Sequence, residues 1–182
     1  MRNARQLRLQ ADYEGVIELS KGSDVHLVVE ETIGRPPDEY VVVYRCRSVE
    51  RLEKGKPIYR DLHRVKIVLP AKYPAPTSPP RVSMLTPLFH PHVYRNMEVC
   101  MGSWKTSEYL EDFLIRLGAL IQYDRRFLNV HDPANEDAVY WAKSNLLLLP
   151  TDYQTFGKEA PVDHETPEIE SPQDWLDISD QT

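Results

Sequence analysis

His90-Pro91-His92-Val93-Tyr94-Arg95-Asn96-Met97-Glu98-Val99-Cys100-Met101-Gly102-Ser103-Trp104 gathers two histidines, a tyrosine, an amide side chain and one of the chain's two cysteines. A proline-rich run enters this stretch and an amphipathic helical pattern leaves it. A thiol on an irregular segment between rigid neighbours is a thiol on display. Cys100 is therefore read as the functional centre.

Outward from this stretch, Arg81 to Leu85 reads as a short strand. Before it, Pro70-Ala-Lys-Tyr-Pro-Ala-Pro-Thr-Ser-Pro-Pro lacks the donors a central strand needs and is expected to be an extended, stiff connector. Three β-rich runs precede that, Val25 to Ile33, Glu39 to Ser48 and Tyr59 to Leu69, with turns at Gly34 and at Glu53-Lys-Gly-Lys-Pro. In the third run Val65, Ile67 and Leu69 alternate with Arg64, Lys66 and Val68, the pattern of a sheet with one face covered. Cys46, in the second, reads as a core thiol on the side of Tyr44 and Val42. Residues 2 to about 20 predict a helix with Leu9, Tyr13, Val16 and Ile17 on its apolar stripe and Arg2, Arg5 and Arg8 on its exposed side. After Trp104, Thr106 or Ser107 is expected to cap a helix with the stripe Leu110, Phe113, Leu114, Leu117, Leu120 and Ile121. Asn135 is expected to cap a last helix carrying Ala138, Val139 and Ala142. The order is an N-terminal helix, a four-stranded antiparallel meander, an irregular loop and C-terminal helices: an α+β fold.

A net charge of −6 over 182 residues divides unevenly. Residues 151–182 hold nine acids and one lysine, and residues 1–150 are close to neutral. The expectation is one domain over 1–150, followed by an acidic, proline-containing tail over 151–182 in which Trp175, Leu176 and Ile178 are a candidate docking motif. No basic, aromatic-interleaved patch suggests nucleic acid. No apolar run approaches a membrane span, and the basic start lacks the apolar block of a signal peptide. Two unpaired cysteines fit a cytoplasmic protein with reduced thiols.

Several separated motifs then fall in order. They are Tyr73-Pro74 with the prolines after it, Thr86-Pro87-Leu88-Phe89-His90-Pro91, Cys100, Trp104 and Asp132-Pro133-Ala134-Asn135-Glu136. With these the chain resembles the ubiquitin-conjugating enzymes over roughly residues 5 to 145, and the resemblance implies their fold. That family places a His-Pro-Asn tripeptide eight residues before its acceptor cysteine, and His92 lies eight residues before Cys100. Two features depart from the usual pattern: His92 stands where Asn is usual, and the interval from Cys100 to Trp104 is short. With Tyr59-Arg-Asp-Leu-His-Arg-Val, these make the chain look more like bacterial members encoded beside their own ubiquitin-like modifier, a setting associated with antiphage or stress operons.

The resemblance implies that Cys100 takes a ubiquitin-like protein from an activating enzyme as a thioester and passes it to an amine of a target protein, with no cofactor and no metal. Attack needs thiolate, and a thiol of pKa about 8.5 is only a few per cent ionised near neutrality. A nearby His90 or His92 would raise that fraction. Aminolysis also needs a donor for an oxyanion, and an N–H of His92 is one candidate. A plain loop-holding histidine is the other reading. Asp132 would aim the incoming amine and take its proton, while Tyr94, which matches a tyrosine of the SUMO-conjugating branch, would help to desolvate it. His90, Pro91 and Trp104 would support the loop, and Arg2, Arg5 and Arg8 would meet the activating enzyme. Two alternatives remain at this point. One is a non-catalytic member of the fold that binds a ubiquitin-like protein; the other is a thiol hydrolase or metal site built from Cys100, His90 and His92. A hydrolase would need an oriented general base and a metal a fourth ligand, and neither is apparent.

Overall fold

The computed structural model describes residues 3–23, 26–128, 131–150 and 154–157. Helix α1 (Ala4–Gly22) starts from a capping box in which the Asn3 side chain accepts the Gln6 amide and Gln6 answers to the Asn3 amide. Strands β1 (Leu27–Gly34), β2 (Pro37–Tyr44), β5 (His63–Val68) and β6 (Arg81–Met84) form an antiparallel sheet in the order β1-β2-β5-β6. The expected four-stranded meander is present, with one insertion. Ser48–Glu53 (β3) and Lys56–Arg60 (β4) pair with each other as a separate hairpin. The second and third β-rich runs are therefore each shorter than expected. Lys54 and Gly55, both at positive φ, close the hairpin within the sequence read as an inter-strand turn.

Alternation along β5 sets the layers. Val65 and Ile67 are fully buried, and Arg64 and Lys66 face out to pair with Glu30 and Glu39. On the buried face Tyr40, Val42 and Tyr44 meet Leu9 and Val16 of α1 and the stripe of α2 (Leu110–Ile121). Each such aliphatic side chain contributes about 1.5–3 kcal/mol by leaving water. Cys46 is buried in this core. A second cluster packs Val49 of the hairpin against Trp141 and Ala142 of α3 (Glu136–Ser144), with Tyr123, Leu128 and Leu149. That cluster gives the hairpin its apolar partner. Asn135 caps α3 by accepting the Ala138 amide at 3.2 Å.

Four expectations change. The proline-rich run folds as successive turns, with the Tyr73, Ala75 and Ser78 amides bonded to the Pro70, Lys72 and Ala75 carbonyls; buried Tyr73 anchors it. Neither Thr106 nor Ser107 caps α2. The helix begins at Leu110, whose amide donates to Asp12 of α1 at 3.1 Å. Arg5 and Arg8 do not form an exposed basic face. Arg5 binds Asp38 and the Leu69 and Pro70 carbonyls, and Arg8 binds Asp12, Tyr73 and the Thr106 and Glu108 carbonyls. Their long side chains reach back over the sheet end because carbonyls and carboxylates await them there. Arg2 lies outside the described residues. Finally, packing continues past residue 150. Phe156 is buried against Tyr44, edge-on at 5.4 Å, and Gln122 brackets Gln154 through both its amide oxygen and nitrogen. The motif Trp175, Leu176 and Ile178 lies outside the described residues.

Asp12 is the strongest of these tethers. Its carboxylate is fully buried and accepts from Arg8 at 3.0 Å, the Tyr73 hydroxyl at 2.7 Å and the Leu110 amide at 3.1 Å. Burying a carboxylate costs several kcal/mol, so it persists only with its partners in place. The Arg5–Asp38 pair, with side chains 27% and 40% exposed, contributes about 1 kcal/mol at most. No helix among the described residues is long and apolar enough to cross a membrane.

Candidate active site

Edge strand β6 positions the segment that carries the thiol. The Met84 amide donates to the Met97 carbonyl at 2.8 Å and the Val99 amide to the Val82 carbonyl at 3.0 Å, extending the sheet by two residues before Cys100. Tyr94 and Glu98 close the tip of this loop through the Tyr94 amide and the Glu98 carbonyl, 2.9 Å apart, and Met97 takes a positive φ of 68° there. Asn96 is used at the tip, where Oδ1 accepts the Glu98 amide and Nδ2 donates to the Glu98 carboxylate.

Cys100 and His92 face each other across the loop's two arms. The Cys100 amide donates to the His92 carbonyl at 2.8 Å. In return His92 Nδ1 lies 2.8 Å from the Cys100 carbonyl. A carbonyl only accepts, so Nδ1 carries the proton. The His92 amide in turn donates to His90 Nδ1 at 3.0 Å, which puts the His90 proton on Nε2. His90 is sealed in the interior, its ring edge-on to Tyr123 at 4.4 Å. Burial lowers the pKa of both imidazoles, His90 more strongly, and the nearby Arg116 charge adds to the lowering at His92. Lowered in this way, both rings favour the neutral form near pH 7, and neither is a source of positive charge beside Cys100. Pro91 is buried, and its carbonyl accepts the Asn135 amide at 3.0 Å. That bond docks the segment bearing Asp132 onto the loop bearing Cys100.

Cys100 is half-buried, and Tyr94, on the same loop, is exposed. The Tyr94 hydroxyl is held above its ordinary pKa chiefly by the nearby Cys100, then by desolvation, with Asp132 and Glu98 adding to the effect. The hydroxyl thus stays a donor. Cys100 and His92 are brought together, with His90 and Pro91 behind His92, and the charge of Asp132 reaches the Tyr94 hydroxyl. Trp104 lies beyond the thiol, tilted over Tyr73 at 5.6 Å and edge-on to Phe113 at 5.9 Å. Arg5 and Arg8 are not part of this group.

Arg116 was missed from sequence. It donates to the Met101 carbonyl at 2.6 Å and forks onto both oxygens of Glu108, holding the strand of chain that leaves Cys100. A lone arginine between Ile115 and Leu117, the one charged residue in the helix after its acidic first turn, was its signal. Asp12, a carboxylate on the stripe of Leu9 and Val16, was similarly visible and similarly passed over.

Residues 52–147 match the family described as ubiquitin-conjugating enzyme. Over 83 residues, 42% of this chain and 46% of the relative, the sequence is 30% identical to the SUMO-conjugating enzyme UBC9 of Caenorhabditis elegans. Over 89 residues, 47% of this chain and 39% of the relative, it is 29% identical to the ubiquitin-conjugating enzyme E2 S-C of Xenopus laevis. The chain thus spans less than half the length of either curated relative. Among solved structures, a ubiquitin conjugating enzyme from Trypanosoma cruzi shares the fold with a TM-score of 0.56 at 15% identity, covering 79% of this chain and 92% of that one. With the fold, the loop and a family match across more than half its length all in agreement, this chain belongs to the ubiquitin-conjugating enzyme family.

Proposed function

We propose that the chain accepts a ubiquitin-like protein from an activating enzyme as a thioester on Cys100 and passes it to an amine, chiefly lysine, of a target protein. The observation that carries this reading is a half-buried thiol at the end of a sheet-paired loop, onto which the Asn135 amide docks the segment bearing Asp132. In this reading Asp132 aims the amine and takes its proton, Tyr94 and its neighbours exclude water, and His92 holds the loop. His90, Pro91 and Trp104 support it from behind. Helix α1 is the surface an activating enzyme would meet, with Arg5 and Arg8 shaping it rather than contacting the partner. Residues up to about 157 form the conjugating domain, and the acidic segment after them is a docking element for a partner. His92 in place of Asn and the short step from Cys100 to Trp104 support a member of the bacterial type.

The test is covalent. With ATP, an activating enzyme and a ubiquitin-like protein, the chain is expected to gain one modifier in a bond cleaved by added thiol. Cys100→Ala would give no adduct, and Cys100→Ser a thiol-resistant ester. An unmodified wild-type chain after trials with ubiquitin, SUMO and any ubiquitin-like protein encoded beside it, each with its activating enzyme, overturns the reading.

A further inference from the structure

Transfer from Cys100, on the reading just given, starts when an amine lone pair attacks the acyl carbonyl carbon and the C=O π pair moves onto oxygen. Collapse re-forms that C=O bond, breaks the C–S bond and expels the Cys100 thiolate, while the amine proton leaves to Asp132 or water. The oxyanion between these steps needs a fixed donor. Losing one such donor slows comparable reactions by about 100- to 1000-fold.

His92 does not fill that role. A neutral imidazole has one N–H, and here it is spent on the Cys100 carbonyl. The Cys100 amide is also engaged, by the His92 carbonyl. The next two amides differ. Across a trans peptide unit the C=O and N–H point in opposite directions, and the cis bonds among the described residues lie elsewhere, before Pro36 and Pro74. The Cys100 carbonyl turns inward to His92, so the Met101 amide turns outward. The Met101 carbonyl turns inward to Arg116 at 2.6 Å, so the Gly102 amide turns outward too. Among the described residues neither amide meets a protein acceptor. Gly102 takes a φ of 70°, a left-handed conformation that glycine adopts without strain. The space beside it is open, since a Cβ built there meets nothing within 4 Å.

We propose that the backbone amides of Met101 and Gly102 form the oxyanion hole for the Cys100 thioester, with His92 and Arg116 as positioning residues that turn the two preceding carbonyls inward. The amide following a nucleophile serves this way on unrelated folds. It also gives the site a donor where the usual Asn is absent.

Replacing Met101 or Gly102 by its α-hydroxy acid in the full chain, through nonsense suppression, swaps one N–H for an ester oxygen. Cys100 is then acylated directly with a short peptide thioester, and its discharge to lysine, hydroxylamine and hydroxide is followed by whole-protein mass. Each ester is expected to slow discharge about 100-fold by a similar factor for all three nucleophiles, with thermal midpoints close to wild type. Arg116→Met should slow discharge in the normal backbone and add little in the Gly102 ester. Esters that discharge at the wild-type rate, or slow one nucleophile alone, overturn the proposal. A wild-type acyl-enzyme that discharges no faster than free cysteine thioester sinks instead the transfer reading on which it rests.

Discussion

His92 and Cys100 exchange two hydrogen bonds, amide to carbonyl and imidazole Nδ1 to carbonyl, each 2.8 Å long. The second fixes the tautomer and explains how histidine stands where the family places Asn. In both side chains a nitrogen donor is attached to the γ carbon, so either can reach the same carbonyl. His92→Asn is therefore expected to keep stability within about 1 kcal/mol, and His92→Leu, which strands a carbonyl, to lose about 1–3 kcal/mol. Urea denaturation of the two variants checks this, and equal losses would refute the carbonyl-holding role.

On the transfer reading proposed above, Tyr94 and Asp132 serve the reaction rather than the fold. Tyr94→Phe and Asp132→Asn should leave the melting temperature nearly unchanged, since both side chains are exposed. Discharge to lysine should fall by about 10- to 100-fold in each, within or below the range of general-base contributions. Single-turnover rates measured from preformed thioester decide it; unaltered rates would remove both residues from the site.

Asp12 should behave in the opposite way. Asp12→Ala leaves Arg8 and Tyr73 without their buried partner and is expected to cost about 3–5 kcal/mol. By contrast Asp38→Ala, at the half-exposed pair with Arg5, should cost less than about 1 kcal/mol. Guanidinium melts of both variants compare them directly, and a mild Asp12→Ala would show that the helix start does not depend on this carboxylate.

Acid sensitivity follows from three buried imidazoles. Burial drives His63 down to about 4, and lowers His90 and His92 as well. In the unfolded chain each takes a proton below about pH 6.5, while the folded chain stays neutral there. The unfolded state then binds more protons, so stability is full above pH 6.5 and declines as pH falls below it. The slope reaches about 1.4 kcal/mol per pH unit for each histidine. A denaturation midpoint that is flat between pH 7 and pH 5 would contradict this.

Gly118 and Phe156 test the extended core. A Cβ on Gly118 would sit 2.4 Å from the Phe156 ring and 2.9 Å from Tyr44. Gly118→Ala should cost about 1–3 kcal/mol by overpacking, and Phe156→Ala about 3–5 kcal/mol by leaving a cavity. Combined, the two should cost less than their sum, because removing the ring relieves the clash. Strict additivity in thermal melts would argue against the contact.

The loop that carries Cys100 was legible because it is local. Cys100, His92 and Tyr94 lie within nine positions of one another, and a loop of that length brings its own ends together. The hairpin β3–β4 was not legible, because its strands are short and their apolar partner, Trp141, arrives some eighty residues later. The inward fold of Arg5 and Arg8 was hidden for the same reason, since charged side chains on a helix read as solvated until carbonyls from residues 69–70 and 106–108 appear beside them.

The sequence by itself determined the periodicities, and with them the helices, the four strands of the sheet and the loop that displays Cys100. These rest on the 3.6- and two-residue repeats of the backbone, which each segment carries within itself. Only the tertiary structure decided where protons and charges go. Which nitrogen of His92 bears its hydrogen, whether Arg8 faces solvent or Asp12, and which amides beside Cys100 are left outward all depend on partners distant in sequence. Burial makes those pairings obligatory, since an unmet polar group in the interior costs more than most surface contacts contribute.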